Sequence, residues 1–230
     1  MADCQFFAHH GWGFDRHTWD TWKNELSEFG TFHAYDRGYF DDPKEIKVDN
    51  SGGPIVLLTH SFGLHWITKN LLETADLLVI TGGFLYFHPY VAQYKRRSRL
   101  IIQEMVNELE INPEKVLKRF YDNCFSPLEA EEVNFKDLNL QLLLDDLQRL
   151  QDSRLDAELL KKAGKVCILH GSQDQVVPYK KGRQIYNQLQ QYAQYFELKN
   201  AGHALPKTHH RQCLEFIIPE IRQVLKEKQD

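Results

Sequence analysis

Residues 52–63 read Gly52-Gly53-Pro54-Ile55-Val56-Leu57-Leu58-Thr59-His60-Ser61-Phe62-Gly63, and this stretch decides the fold. Ile55 to Leu58 form a continuous apolar run, as expected of a strand buried on both faces of a parallel sheet. The run passes without a linker into Thr59-His60-Ser61-Phe62-Gly63, and a helical pattern follows from Leu64 to Ala75. A serine on a sharp strand-to-helix turn projects its hydroxyl above the sheet and sits at a helix N-terminus, where backbone N–H groups can hold an anion. Such a turn crowds the residues two before and two after the serine. Gly63 meets that need on one side; on the other stands Thr59, bulkier but compatible with strand geometry. The pentapeptide alone leaves two readings open, a catalytic serine and a serine that only caps its helix.

Working outward, the chain alternates short apolar runs with longer helical patterns. Strands are expected at QFFAHH (5–10), TFHAYD (31–36), the quoted run, LLVITGG (77–83), KVCILHG (165–171) and YFELKNAG (195–202). Helices are expected at Arg16 to Phe29, Leu64 to Ala75, Tyr179 to Tyr192 and His209 to Lys228. This alternation predicts an α/β fold with a mostly parallel sheet of about six strands and right-handed crossovers. Residues 86–160 interrupt it. They hold no convincing strand but several helix starts: Asn112-Pro113, an N-cap followed by proline at the first helical position, and Ser126-Pro127-Leu128-Glu129, which fits a short capping box. A helical block between two strands of such a sheet sits over their carboxyl ends, where ligands bind. It reads as a lid inserted before the last two strands, dividing the core into 1–85 and 161–230.

Composition limits the alternatives. The 230 residues are 42% hydrophobic and 26% charged, the balance of an ordinary globular domain, so collagen-like and disordered readings fall away. The net charge of −4 gives no global basic excess for nucleic acid, and no apolar run approaches a membrane span. MADCQFFAHHGWG lacks the layout of a secretory signal, and Cys4, Cys124, Cys167 and Cys213 show no paired spacing. A cytoplasmic location is therefore expected. No cofactor is expected, and no metal: the 11 histidines include no H-E-x-x-H or Cys/His ligand spacing, and Ser51-Gly52-Gly53 precedes a strand, whereas a phosphate loop follows one.

Two later segments bear on Ser61. His170-Gly171-Ser172-Gln173-Asp174 puts an acid on the loop after the fifth strand, and Asn200-Ala201-Gly202-His203-Ala204 puts a histidine directly after the sixth. Separately, Asp174 is a turn residue and His203 a loop histidine. Together, the order Ser, Asp, His at strand ends is that of a hydrolase triad, in which Asp174 fixes the tautomer of His203 and His203 takes the Ser61 proton. His10-Gly11-Trp12-Gly13 follows the first strand. Trp12 and Phe62 are then the expected backbone donors of an oxyanion hole. The Trp12 ring either walls the pocket or packs in the core, His10 braces the loop, and His60 is a packing or pocket residue.

These motifs are similar to those of the α/β-hydrolase superfamily. Within it, HHGWGFDRHTW (9–19), HGSQDQVVP (170–178) and NAGHALP (200–206) resemble the pimeloyl-acyl-carrier-protein methyl ester esterases of biotin synthesis. The resemblance covers most of the chain in plan and departs at Thr59, where that family usually carries glycine. It implies a serine carboxylesterase acting on a methyl-capped acyl chain held as a thioester by an acyl carrier protein. In residues 113–124, Lys115, Lys118 and Arg119 share one arc of a helical wheel, while Val116, Leu117, Phe120, Tyr121 and Cys124 share another. The family's lid has a similar basic-basic-aromatic arrangement, which maps to Lys115, Arg119 and Phe120. The implied partner is the carrier protein on Lys115, Lys118 and Arg119, with Phe120 and Trp12 at the acyl chain; the alternative is an ordinary solvated helix face. Tyr94-Lys95-Arg96-Arg97-Ser98-Arg99 is a second basic cluster. A monomer is expected. Two further functions stay open: a generic small-molecule carboxylesterase, and a non-catalytic ligand-binding protein on the same fold.

Overall fold

The computed structural model describes residues 3–45, 53–132 and 137–228; Gly52 of the quoted stretch and the preceding Ser51 lie outside them. Six strands, β1 (Cys4–His9), β2 (Gly30–Ala34), β3 (Ile55–His60), β4 (Leu77–Thr81), β5 (Lys165–Gly171) and β6 (Ala193–Leu198), form one sheet in the order β2-β1-β3-β4-β5-β6. Every pairing is parallel. The α-helices are α1 (Asp20–Leu26), α2 (Lys69–Thr74), α3 (Ala92–Ile111), α4 (Pro113–Phe125), α5 (Leu140–Leu150), α6 (Ala157–Leu160), α7 (Lys180–Leu189), α8 (Leu205–Thr208) and α9 (His210–Glu227). This is the expected α/β-hydrolase architecture, with α3 to α5 inserted between β4 and β5.

The strand period of two sorts side chains between two cores. Phe6, Val56, Leu58, Val79 and Cys167 turn toward α1 and α9, where Trp19, Trp22, Leu26 and Ile217 complete one cluster. Phe7, Leu57, Leu78, Ile80 and Ile168 turn the other way, onto Leu72 of α2, Leu160 of α6 and Ile185 of α7. The short helix α6 therefore packs with the core layer, and α3 to α5 carry the separate cluster of Ile102, Val106, Leu117, Leu143 and Leu147. Strand order reverses between β1 and β3, so a crevice opens outside their carboxyl ends, the place where open α/β sheets bind ligands.

Two expected helices differ in detail. The run Leu64 to Ala75 is broken: residues Ser61–Trp66 form a 3-10 helix, Ile67 and Thr68 are extended, and Thr68 then caps α2 by accepting from the Leu71 N–H. Arg16 to Phe29 likewise begins as a 3-10 turn, Arg16–Trp19, before α1. Ser126-Pro127-Leu128-Glu129 starts no helix. Ser126 ends α4 by donating its N–H to Asp122 O, and Leu128 N–H turns back onto Phe125 O. A residue preceding proline is biased out of the helical region, and here that bias wins over the capping pattern.

The inserted helices are bound to the core by buried polar contacts. Asp146 of α5, fully buried, accepts two hydrogen bonds from the Arg37 guanidinium at 2.7 and 2.8 Å and a third from the Tyr39 hydroxyl at 2.8 Å. Removing one partner of such a pair leaves an uncompensated buried charge, which is strongly destabilising. The Trp12 indole N–H donates to Leu143 O at 2.9 Å, joining α5 to the loop after β1.

His9 closes β1 with its ring stacked on Tyr35 at 4.8 Å, and neither ring nitrogen has a hydrogen-bond partner. Burial, then the neighbouring His10, pushes its pKa down to about 3. The unfolded chain thus takes up this proton first, near 6.5, and acid favours unfolding from there down to about 3. His9 should account for about 2 kcal/mol of stability lost between neutral pH and pH 5. In denaturant unfolding at the two pH values, His9→Phe should reduce the wild-type loss by that amount; an unchanged loss would place the proton elsewhere.

Candidate active site

Ser61 occupies the turn between β3 and its 3-10 helix with φ +53°, in the left-handed region. That conformation costs a non-glycine residue about 1–2 kcal/mol and persists because the strand and the following turn are both fixed by packing. Two glycines make the turn possible. A Cβ on Gly63 would lie 2.2 Å from His10 O and 2.7 Å from His9 O. On Gly11, a Cβ would lie 3.0 Å from the Ser61 Cβ. The loop after β1 and the serine turn therefore touch backbone to backbone. Thr59, in place of a glycine, is fully buried and fits as a sheet residue: its hydroxyl donates to Val79 O at 3.0 Å, and its carbonyl accepts from the Thr81 hydroxyl at 2.8 Å.

The structure brings Asp174 and His203 together. His203 Nδ1–H donates to Asp174 Oδ2 at 2.7 Å, while Asp174 Oδ1 accepts from the N–H groups of Val176 and Val177 at 2.9 and 2.7 Å. Burial works against the Asp174 charge, yet the charge of His203 and the hydrogen bonds from His170 and His203 outweigh it and hold the carboxyl below the usual carboxylate range. His203 is buried beside the serine turn, with its ring centroid 4.8 Å from that of His60, and its Nε2 makes no hydrogen bond. The nitrogen opposite the aspartate contact is thus unoccupied, and Ser61 itself is 8% exposed.

Three further histidines, whose partners the sequence pattern did not reveal, fix the loops. His170 Nε2 lies 2.8 Å from Val177 O and 3.2 Å from Asp174 Oδ2; both are acceptors, so Nε2 carries the proton and holds the same carboxylate oxygen that His203 contacts. His60 Nε2 donates to the His203 carbonyl at 3.1 Å, tying the serine strand to the histidine loop. Burial, then His203, holds His60 well below the ordinary histidine range, so its ring is neutral. His10 donates from Nδ1 to Gly11 O at 2.8 Å and accepts the Arg37 N–H at Nε2 at 2.9 Å, bracing the loop as expected. In each case the partner is a backbone group distant in sequence or a loop whose path only the fold sets.

Among the described residues, the backbone N–H of Trp12 has no hydrogen-bond partner. Phe62 lies in the first turn of the 3-10 helix, where N–H groups have no intrahelical acceptor. Phe120 of α4 meets the Trp12 ring edge-on at 4.9 Å, covering the loop that carries this N–H. The lid helix is split as its sequence predicts: Val116, Leu117, Tyr121 and Cys124 are buried, and Lys115, Lys118 and Arg119 are exposed. The three cations do not form one free basic face. Arg119 pairs with Glu108 of α3, and Lys118 borders a cavity of about 680 Å³ together with Asp122, Glu129, Glu131 and Glu132. From the other end of α4, Cys124 O accepts the N–H groups of both His203 and Ala204 at 2.9 Å. Among the described residues, no group of three or more His, Cys, Asp or Glu side chains could hold a metal, and no helix is long and apolar enough to cross a membrane.

Residues 6–207 match the family model described as serine aminopeptidase, S33. No curated protein sequence matches the chain. Similar solved structures include an esterase from Exiguobacterium antarcticum (16% identity, TM-score 0.76, 96% of this chain and 92% of that one). A hydrolase from Oleispira antarctica is similar at 14% identity and TM-score 0.79, over 96% and 92% of the two chains. MenH from S. aureus matches at 12% identity and TM-score 0.68, over 100% and 96%.

The backbone contact at Gly63 predicts an asymmetric response to alanine. Gly63→Ala drives a methyl into two carbonyls that cannot rotate away, whereas Gly11→Ala needs a shift of a few tenths of an ångström. Gly63→Ala should cost about 1–3 kcal/mol or more and Gly11→Ala clearly less, read as denaturant midpoints. Equal losses would mean that the two backbones separate readily.

Proposed function

From membership of the serine aminopeptidase S33 family of α/β-hydrolases, to which this chain belongs, we propose that the protein is a serine hydrolase of carboxylic esters. The observation that carries this reading is the buried Asp174–His203 pair beside the serine turn, with His203 Nε2 unoccupied. Ser61 Oγ attacks the ester carbonyl and gives its proton to His203 Nε2. The carbonyl oxygen becomes an oxyanion between the N–H groups of Trp12 and Phe62. Collapse of the tetrahedral intermediate expels the alcohol, which takes the proton from His203. Water then repeats the sequence on the acyl-serine and releases the acid. Asp174 stays ionised, holds Nδ1–H and stabilises the imidazolium.

The finer reading follows the sequence resemblance: the ester is the methyl cap of a pimeloyl-type chain carried by an acyl carrier protein. Phe120 and Trp12 then border the acyl chain, and Lys115 and Lys118 are the α4 cations available to an acidic carrier, since Arg119 is engaged by Glu108.

Ser61→Ala should remove turnover by orders of magnitude with the fold intact, and a folded variant at wild-type rate sinks the mechanism. Because Asp174 stays charged and His60 neutral near neutral pH, neither should add a limb to the pH–rate profile there; two limbs on the acid side would contradict this. For the carrier, Lys115→Glu with Lys118→Glu should raise KM for a carrier-borne methyl ester severalfold and leave a short p-nitrophenyl ester unaffected. Equal effects on both would leave a generic esterase.

A further inference from the structure

The loop after β4 and the first half of α3 carry a concentration of positive charge that the ester chemistry does not use. From Leu77 to Gln103 the chain has no Asp or Glu, yet it holds Lys95, Arg96, Arg97 and Arg99 in a protein of net charge −4. The fold adds two cations from distant segments. Arg154 lies over the Tyr86 ring at 4.2 Å and Lys95 over it at 5.5 Å, while Lys181 of α7 stands 5.9 Å from it and 5.5 Å from the Tyr90 ring.

Lys181 is buried, and its ammonium donates to two carbonyls, Tyr86 O at 2.6 Å and His88 O at 2.7 Å, with no carboxylate among its recorded partners. Beside it, His88 is fully buried; its Nδ1 contacts the Ser98 hydroxyl at 2.8 Å and its Nε2 has no partner. Burial first, then the charges of Arg99, Lys181 and Lys95, push the His88 pKa down to about 4. The acid within reach is Asp152, already paired with Arg99 at 2.9 Å. A cavity of about 500 Å³ opens along α3, bordered by Lys95, Arg96, Arg99, Leu100, Gln103 and Gln151, with no acid among its described lining residues, and Lys95 joins it to the Tyr86 ring.

We propose that this cavity, with the cations that Lys95 joins on the adjoining Tyr86 ring, is a binding site for a phosphate ester. A compact dianion matches the charge that Lys95, Arg96, Arg154 and Lys181 leave unbalanced, and guanidinium forks suit phosphate oxygens. Part of this charge lies behind the surface, on Lys181, where a flat acidic protein face cannot approach closely. Tyr90 and Tyr94, 61% and 57% exposed, offer apolar rings for whatever the phosphate is attached to. The same chemistry fits two sources, a free small phosphate ester or the phosphate of a pantetheine arm bearing a thioester; the second source alone rests on the carrier reading above.

The test is calorimetric titration of the full chain with inorganic pyrophosphate, with phosphopantetheine and with pantetheine. Saturable 1:1 binding of the two phosphates, and none of pantetheine, is expected. Phosphopantetheine binding at least tenfold tighter than pyrophosphate assigns the site to the arm, and comparable binding assigns it to a free phosphate ester. Lys95→Gln with Arg154→Gln, both away from the core, should weaken binding at least tenfold while circular dichroism and Tm stay near wild type. Lys115→Gln with Lys118→Gln on α4 should bind as wild type. The site is overturned by absence of saturable binding, by pantetheine binding as well as phosphopantetheine, or by a Lys95/Arg154 variant that binds as tightly as wild type. None of these readouts involves Ser61, so the site stands or falls apart from the ester chemistry.

Discussion

The close approach of Gly63 to the carbonyls of His9 and His10 is the constraint on which the rest of the site depends. It lets the serine turn lean on the loop after β1 at the reversal of strand order, where the sheet itself leaves a crevice. Because the two backbones touch, the hydroxyl of Ser61 and the free N–H of Trp12 belong to one rigid unit. The left-handed conformation of Ser61 is the cost of that arrangement, and the packing of β3 on both faces offsets it.

A second layer of order comes from buried histidines whose ring nitrogens meet fixed partners. His10 bridges the Gly11 carbonyl and the Arg37 N–H, His60 holds the His203 carbonyl, and His170 holds Asp174. Each is fully buried, and each directs at least one hydrogen bond at a loop rather than at solvent. An imidazole suits this task because it is flat enough to pack and carries a polar atom at each end. The result is that Asp174 and His203 are held from several directions, in keeping with a site that must keep its geometry as charge develops.

The lid is part of the same unit. Asp146 binds the Arg37 whose N–H meets His10, Trp12 donates to Leu143, and the end of α4 receives the His203 loop. The inserted helices therefore buttress the proposed catalytic loops as well as covering them, and Phe120 packs against Trp12 where the two meet. Its outer surface is divided: α4 mixes cations with acids, whereas the start of α3 is basic alone.

The sheet was legible in the sequence because strands buried on both faces must be apolar almost throughout, as Ile55–Leu58 and Leu77–Ile80 are. Ser61, Asp174 and His203 were legible as candidates because each lies where a strand ends in a turn residue or a loop. The helix expected at Leu64 to Ala75 was misread in part, since hydrophobic spacing cannot reveal that Thr68 caps a second helix. Ser126 matched a helix start and instead ends α4, because a residue before proline is biased out of the helical region. The wheel of α4 correctly separated its buried and exposed sides, yet it could not show that Arg119 is taken up by Glu108 of α3. What the sequence determined by itself was whatever follows from local period and burial: the strands, the split helix, the positions of the candidate residues. Only the tertiary structure decided which histidine nitrogen meets which carbonyl and which charges are paired, since those pairings join segments up to 143 residues apart and exist only once the backbone has closed.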